Sequence, residues 1–172
     1  MPILPDTKDW TWVLERPCPE CGYDAAAVDP GAVARLTREN ASRWPSVLAR
    51  PDVRERPNDS TWSALEYGAH VRDVFRITRT RLAQMRAEHD PVFANWDQDA
   101  TAIDDRYDEQ DPAVVATELV DAADALAADL ETVAPGEWDR PGRRSDGAIF
   151  TVASFARYVT HDWEHHIVDV RG

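Results

Sequence analysis

Two groups of residues in this chain have the types and spacing that hold metal ions. His161-Asp162-Trp163-Glu164-His165-His166 puts three imidazoles and a carboxylate next to the core stripe of a helix. Residues four apart stack on one helix face, so the run contains two pairs, His161 with His165 and Asp162 with His166. His70 stands far upstream beside Tyr67, Val71 and Val74. Two imidazoles and one carboxylate suit Zn, Ni, Fe or Mn, and three protein ligands leave positions open for a reactant. The second group is Cys18-Pro19-Glu20-Cys21-Gly22, a C-x-x-C knuckle near Trp10, Trp12 and Tyr23. Zinc takes about four ligands, and the sequence has no second C-x-x-C. Three readings of Cys18 and Cys21 therefore stand: half a zinc site completed by other residues or by a second chain, a redox pair, or two inert thiols in a turn.

Four helical segments would position these groups. The first opens at Asp29-Pro30, an N-cap followed by proline at the first helical position, and runs to about Arg50 with Val33, Leu36, Val47 and Leu48 inward. The second opens at Ser63 with Glu66 three residues on, a capping box, and Trp62 and Tyr67 form its hydrophobic staple. The third opens at Asp111-Pro112, carries Val115, Leu119, Leu126 and Leu130, and stops before Pro135-Gly136. The fourth opens at Thr151, with Phe155, Val159, Trp163, Ile167 and Val170 on one stripe. No segment alternates in the manner of a strand. Four such helices predict a four-helix bundle.

The helical wheel separates the two pairs in the last helix. At about 100° per residue, Asp162 and His166 flank the apolar stripe, whereas His161 and His165 fall on the side expected to face solvent. His70 sits at the margin of its own apolar face. A buried His–Asp–His set needs partners, because an unpaired buried charge is costly. Two readings remain for it, a hydrogen-bonded structural cluster and a metal site. Topology bears on the choice. His70 is near the start of the second helix, and Asp162 and His166 are near the end of the fourth. In an up-down-up-down bundle the groups lie roughly 10 Å or more apart along the axis; in up-down-down-up they meet at one end. The stretch from about Glu88 to Gln110 is long, acidic and free of glycine. Bundle connections usually run about 2–8 residues, so this one reads as a crossover that packs on the body through Val92, Phe93, Trp96 and Ile103.

These residues resemble the DinB-like superfamily of metal-binding four-helix bundles, which includes thiol S-transferases such as mycothiol-dependent maleylpyruvate isomerase. The resemblance rests on WSALEYGAHVRD at 62–73 and HDWEHHIVDV at 161–170 and covers about Asp29 to Val170. It implies His70 as the first metal ligand. It implies Asp162 and His166 as the other two, since Asp169 stands where the family has Gln, Asp or His three residues after its last ligand. Asp162 departs from the histidine common in the family, which keeps metal identity open and keeps His161/His165 as an alternative register. The resemblance further implies the up-down-down-up fold, a divalent metal cofactor (Zn or Ni first, Fe or Mn next), a small-molecule thiol and electrophile as reactants, and homodimers through helix faces. Activity as a metal-dependent hydrolase or oxygenase, or a metal or redox sensor without catalysis, are the competing expectations.

Composition narrows the partners. The 172 residues carry 32 acidic and 19 basic side chains, a net charge of −13. Such a surface repels phosphate backbones and anionic lipid, so neither nucleic acid nor membrane is an expected partner. No apolar run approaches the roughly 18 residues of a membrane span, and the opening MPILPDTKDW lacks the pattern of a signal peptide. The expectation is a cytoplasmic protein with an N-terminal arm over 1–28 and a bundle over 29–172. Arg143-Arg144-Ser145-Asp146-Gly147 reads as a solvated turn, with a carboxylate-gripping role as the alternative.

Overall fold

Asp29 caps a short 3-10 turn, its side chain accepting from the Gly31 N–H at 3.0 Å, and the chain passes directly into α1 (Val33–Ala41). The single helix expected to reach Arg50 is broken, and α2 (Trp44–Leu48) follows after a two-residue gap. Pro45 is the cause. It has no N–H to give to the preceding turn, and its ring crowds the carbonyl four residues back. Asn40, just before the break, donates to the Trp163 carbonyl at 2.9 Å and accepts from the Trp44 indole at 3.0 Å.

The computed structural model describes residues 9–172; the first eight, on which part of the leader expectation rests, lie outside the described residues. The helix α3 (Ala64–Ala87) begins with the capping box read from Ser63 and Glu66: the Ser63 N–H donates to Glu66 at 2.9 Å and the Glu66 N–H donates to the Ser63 hydroxyl at 3.3 Å. Arg56 pairs with the same carboxylate. The helices α5 (Pro112–Glu131) and α6 (Val152–Asp169) start at the caps Asp111 and Thr151. One core holds the helices together, with Leu65, Phe75, Leu119, Leu126, Trp163 and Ile167 fully buried. Within it α3 packs on α5 and α6, and α1 packs on the same two helices. Arg72 of α3 reaches Glu118, and Arg86 reaches Thr132 just past the end of α5. Phe75 meets Trp163 with ring centroids 5.0 Å apart.

The connection between α3 and α5 is ordered. It contains β1 (Val92–Phe93), α4 (Gln98–Asp104) and a 3-10 turn at Tyr107–Glu109. Phe93 and Tyr107 are buried, and the Tyr107 hydroxyl donates to Asp73 at 2.6 Å. Val92 and Ile103 do not pack as expected; both are exposed. In a strand only alternate residues face the core, and here Phe93 takes that face.

Strands were not expected, yet β2 (Pro141–Arg144) and β3 (Ile149–Thr151) form a hairpin, and β1 adds to it in parallel, giving a sheet ordered β1-β2-β3. Segments of two to four residues are too short for alternation to register in the sequence. Gly147, at φ +95, supplies the left-handed position in the turn. Gly142 lies against Phe93 and Met85 so closely that a Cβ would stand 2.7 Å from the Phe93 ring. The chain is thus mostly helical with a small sheet closing one end of the bundle. Among the described residues no helix is long and apolar enough to cross a membrane.

Candidate metal centre

His70 is one and a half turns into α3 and completely buried. Asp162 and His166 lie one turn apart near the end of α6, and the packing of α6 on α3 brings all three together. His70 Nε2 is 3.4 Å from Asp162 Oδ1, and His166 Nε2 is 3.8 Å from the same oxygen. Donor atoms from the three residues lie within 4.8 Å of one another. Two ligands each about 2.1 Å from a tetrahedral ion sit about 3.4 Å apart, so these gaps match donors converging on a common ion. Neither nitrogen of His70 makes a hydrogen bond, and Asp162 Oδ1 makes none. Buried polar atoms are nearly always satisfied. At 3.4 and 3.8 Å the contacts among these atoms are long for N–H···O bonds, so a closed hydrogen-bonded His–Asp–His cluster would satisfy them poorly.

The surroundings hold the rings in place. Trp96, from the long connection, stacks on His70 with ring planes 7° apart, and Trp62 packs on it from another side. Tyr67 covers His166. His166 Nδ1 is 2.9 Å from Asp169 Oδ2, which fixes the ring and leaves Nε2 directed at Asp162 and His70. A carboxylate behind a ligating imidazole is the usual backing of a metal-bound histidine. Burial works against the charge on Asp162, but the His70 ring, with His166 and His161 behind it, holds the carboxyl down to about 2. It is therefore an anion at neutral pH.

His161 and His165 lie elsewhere than expected. They are buried, with 5% and 9% of their surfaces exposed, and do not face solvent. The arm over residues 9–28 covers them: Trp10 lies against both rings and Tyr23 against His161. The Tyr23 hydroxyl donates to the Arg157 carbonyl of α6 at 2.7 Å. The apolar stripe of α6 faces α3, and the polar side beside it is covered by the arm, a contact that helical periodicity does not encode. These two histidines do not join His70; they stand with Cys18 and Cys21. Burial, then His165, pushes the His161 imidazole down to about 4, so it is neutral at pH 7.

A cleft of about 670 Å³ opens beside the His70 group, between α3, α6 and the long connection. Tyr67, Trp96 and Tyr158 line it, with Arg81 and Arg144 on one side. Arg144 donates to the Tyr158 hydroxyl at 2.7 Å and pairs with Asp146. Arg81 donates to the Ala94 carbonyl at 3.3 Å and lies over Phe93. Burial, then the neighbouring Arg144, pushes the Arg81 guanidinium down from its ordinary value. Of the two arginines in the Arg143–Gly147 turn, Arg144 lines the cleft and Arg143 turns away to Asp90 at 2.5 Å.

Comparison with known proteins agrees with this architecture. A family model described as DinB superfamily matches residues 32–168. No curated protein matches significantly. Among solved structures, the chain is similar to YfiT from Bacillus subtilis, described as a probable metal-dependent hydrolase with an unusual four-helix bundle topology. The match has a TM-score of 0.72 at 18% identity and covers 82% of this chain and 85% of that one.

Proposed function

This chain belongs to the DinB superfamily, and we propose that it is a metal-dependent enzyme whose divalent ion is held by His70, Asp162 and His166. We propose the up-down-down-up order for its helices. The pairing of Arg72 with Glu118 and of Arg86 with Thr132 supports it, because α3 and α5 then run the same way. So does the meeting of the start of α3 with the end of α6. Residues 29–172 form the bundle and 1–28 the arm.

The observation that carries the reading is the convergence of three donors, two of them without hydrogen bonds, at the edge of an open cleft. A bound divalent ion supplies Lewis acidity and stabilises a deprotonated thiol or water at neutral pH. Three protein ligands leave room for such a reactant. The residues around the site do the positioning. Trp96 and Trp62 keep bulk water from His70, and Asp169 orients His166. Arg81 and Arg144 place two guanidinia on the cleft wall, a setting for a carboxylate group on a reactant.

The reading we favour for the reaction is transfer of a low-molecular-weight thiol onto a small electrophile bearing a carboxylate, in keeping with the superfamily's S-transferases. Hydrolysis is the second reading, favoured by the description of YfiT as a probable metal-dependent hydrolase. The test is thiol consumption against a panel of unsaturated and halogenated carboxylates. Protein reconstituted with Zn, Ni, Fe or Mn is compared with a His166→Ala variant. Metal-dependent adduct formation, lost in the variant, is the expected result. Metal-dependent hydrolysis of esters or amides without thiol consumption selects the second reading. Turnover unchanged by the loss of metal overturns both.

A further inference from the structure

We infer that the chain has a second metal site, a closed tetrahedral zinc centre formed by Cys18, Cys21, His161 and His165, which pins the N-terminal arm to α6. The four donor atoms lie within 4.8 Å of one another. Cys18 Sγ and His165 Nδ1 are 3.7 Å apart. With Zn–S near 2.3 Å and Zn–N near 2.05 Å, a sulfur and a nitrogen on a tetrahedral zinc stand about 3.5 Å apart. The gap found is therefore close to that of two donors on one ion.

The ligand set has the composition and local spacing of structural zinc sites, two cysteines separated by two residues and two histidines separated by three. The halves come from distant parts of the chain, a loop and a helix, which hides the motif in the sequence. The loop is built as a knuckle. The Cys18 N–H donates to the Tyr23 carbonyl at 2.8 Å, the Gly22 N–H donates to the Cys18 carbonyl at 2.8 Å, and Gly22 takes the left-handed conformation at φ +77. This turn puts both sulfurs on the side facing α6.

An independent observation points to a ligand. His161 Nε2 is buried and has no hydrogen-bond partner. A redox pair needs only the two sulfurs and gives no reason for two imidazoles to be gathered at them; the cysteines are not joined in a disulfide. Inert thiols leave the His161 nitrogen unexplained. A zinc ion satisfies all four donors, and two thiolates neutralise its charge. All four positions are taken by protein, so the centre has no open coordination and is structural.

His165 also has the backing expected of a ligand. With Nδ1 toward Cys18, its Nε2 faces Glu20 Oε2 at 3.5 Å. The arm has reason to need the ion. Its regular structure is a few 3-10 turns, and short segments of that kind hold poorly without a staple. The two centres sit on adjacent faces of the same turn of α6, His161/His165 on one and Asp162/His166 on the other. Fixing the arm also fixes the stretch of helix that presents the first centre.

The inference stands apart from the proposed activity and is tested without it. Zinc content is measured on full-length protein purified without chelator, beside His70→Ala and a Cys18→Ser/Cys21→Ser double variant. Wild-type protein is also treated with a mercurial that caps thiolates while released zinc is read with a chromophoric chelator. Cobalt-substituted protein is scanned for thiolate-to-metal charge transfer. The expected results are one zinc equivalent that survives His70→Ala and is lost in the double variant, release of that equivalent on capping, and a charge-transfer band absent without the cysteines. Zinc content unchanged by the cysteine substitutions, no release on capping, or a Cys18–Cys21 disulfide in protein prepared under non-oxidising conditions overturns it. Zinc release on capping and the presence of the charge-transfer band are both read on wild-type protein, so a folding failure of the double variant leaves them decisive.

Discussion

Asp169 offers a graded test of how the bundle centre is held. It touches His166 Nδ1 at 2.9 Å and none of the proposed reactants. Its loss should leave all three ligands in place and alter only the basicity and orientation of one. Removing such a backing group typically costs about 10–100-fold in metal affinity. The Asp169 side chain is 30% exposed, so water screens part of its charge and the lower end applies to a conservative change. Asp169→Asn keeps an acceptor oxygen and loses the charge. It should weaken the bundle metal about tenfold, which is about 1.4 kcal/mol. Asp169→Ala frees the ring and should approach the hundredfold end, about 2.8 kcal/mol. The second centre should hardly respond, because His165 Nε2 is 3.7 Å from Asp169, beyond hydrogen-bond range. Competition of cobalt-loaded protein with a chelator separates the two centres, since only the cysteine site carries thiolate charge transfer. Equal affinity of wild type and Asp169→Ala for the ion lacking thiolate absorption would show that Asp169 does not support His166 as a ligand.

Other consequences are as direct. Gly142→Ala forces a Cβ to 2.7 Å from Phe93 and 2.8 Å from Met85, and overpacking of this kind costs about 1–3 kcal/mol; an unchanged urea midpoint would contradict the packing described. Burial works against the Glu66 charge, but Arg56 and the Ser63 N–H and hydroxyl hold its carboxyl below the ordinary 4.5. A group with a lowered folded value stabilises fully above its unfolded value and stops doing so as pH falls through the folded one. Glu66→Gln should therefore be less stable than wild type at pH 7 and draw level in strong acid; a gap independent of pH would be the contrary result. Replacing Arg81 or Arg144 by Ala should raise KM for carboxylate-bearing substrates more than it lowers kcat, and should leave neutral substrates of the same reactivity nearly unaffected. Equal effects on both substrate classes would remove the guanidinia from recognition.

Much of the fold was legible because it depends on local chemistry. Ser63 with Glu66, Asp111 before Pro112, and Thr151 each mark a helix start by a side chain that accepts from a backbone N–H within one turn. The gathering of Asp162 and His166 with His70 was legible from the wheel because the apolar stripe of α6 faces α3. The rest depends on distant chain or on a single breaker. Pro45 was in plain view and breaks the first helix. The hairpin of β2 and β3 is too short to show a period. The burial of His161 and His165 depends on an arm more than 130 positions upstream of them, which no periodicity in α6 encodes. The C-x-x-C and the H-x-x-x-H were each visible alone. The missing signal was their juxtaposition, and two histidines on the supposed solvent face of a helix that already had a ligand pair were the hint.

The proposed activity requires an ion between His70, Asp162 and His166. Anomalous X-ray scattering at the metal absorption edge, on crystals of protein purified without chelator, tests it most directly. An anomalous peak about 2.0–2.2 Å from His70 Nε2, an Asp162 oxygen and His166 Nε2 is the expected result. No peak there, even after soaking with Zn, Ni, Fe and Mn, with His70 hydrogen-bonded to Asp162 in its place, would contradict it.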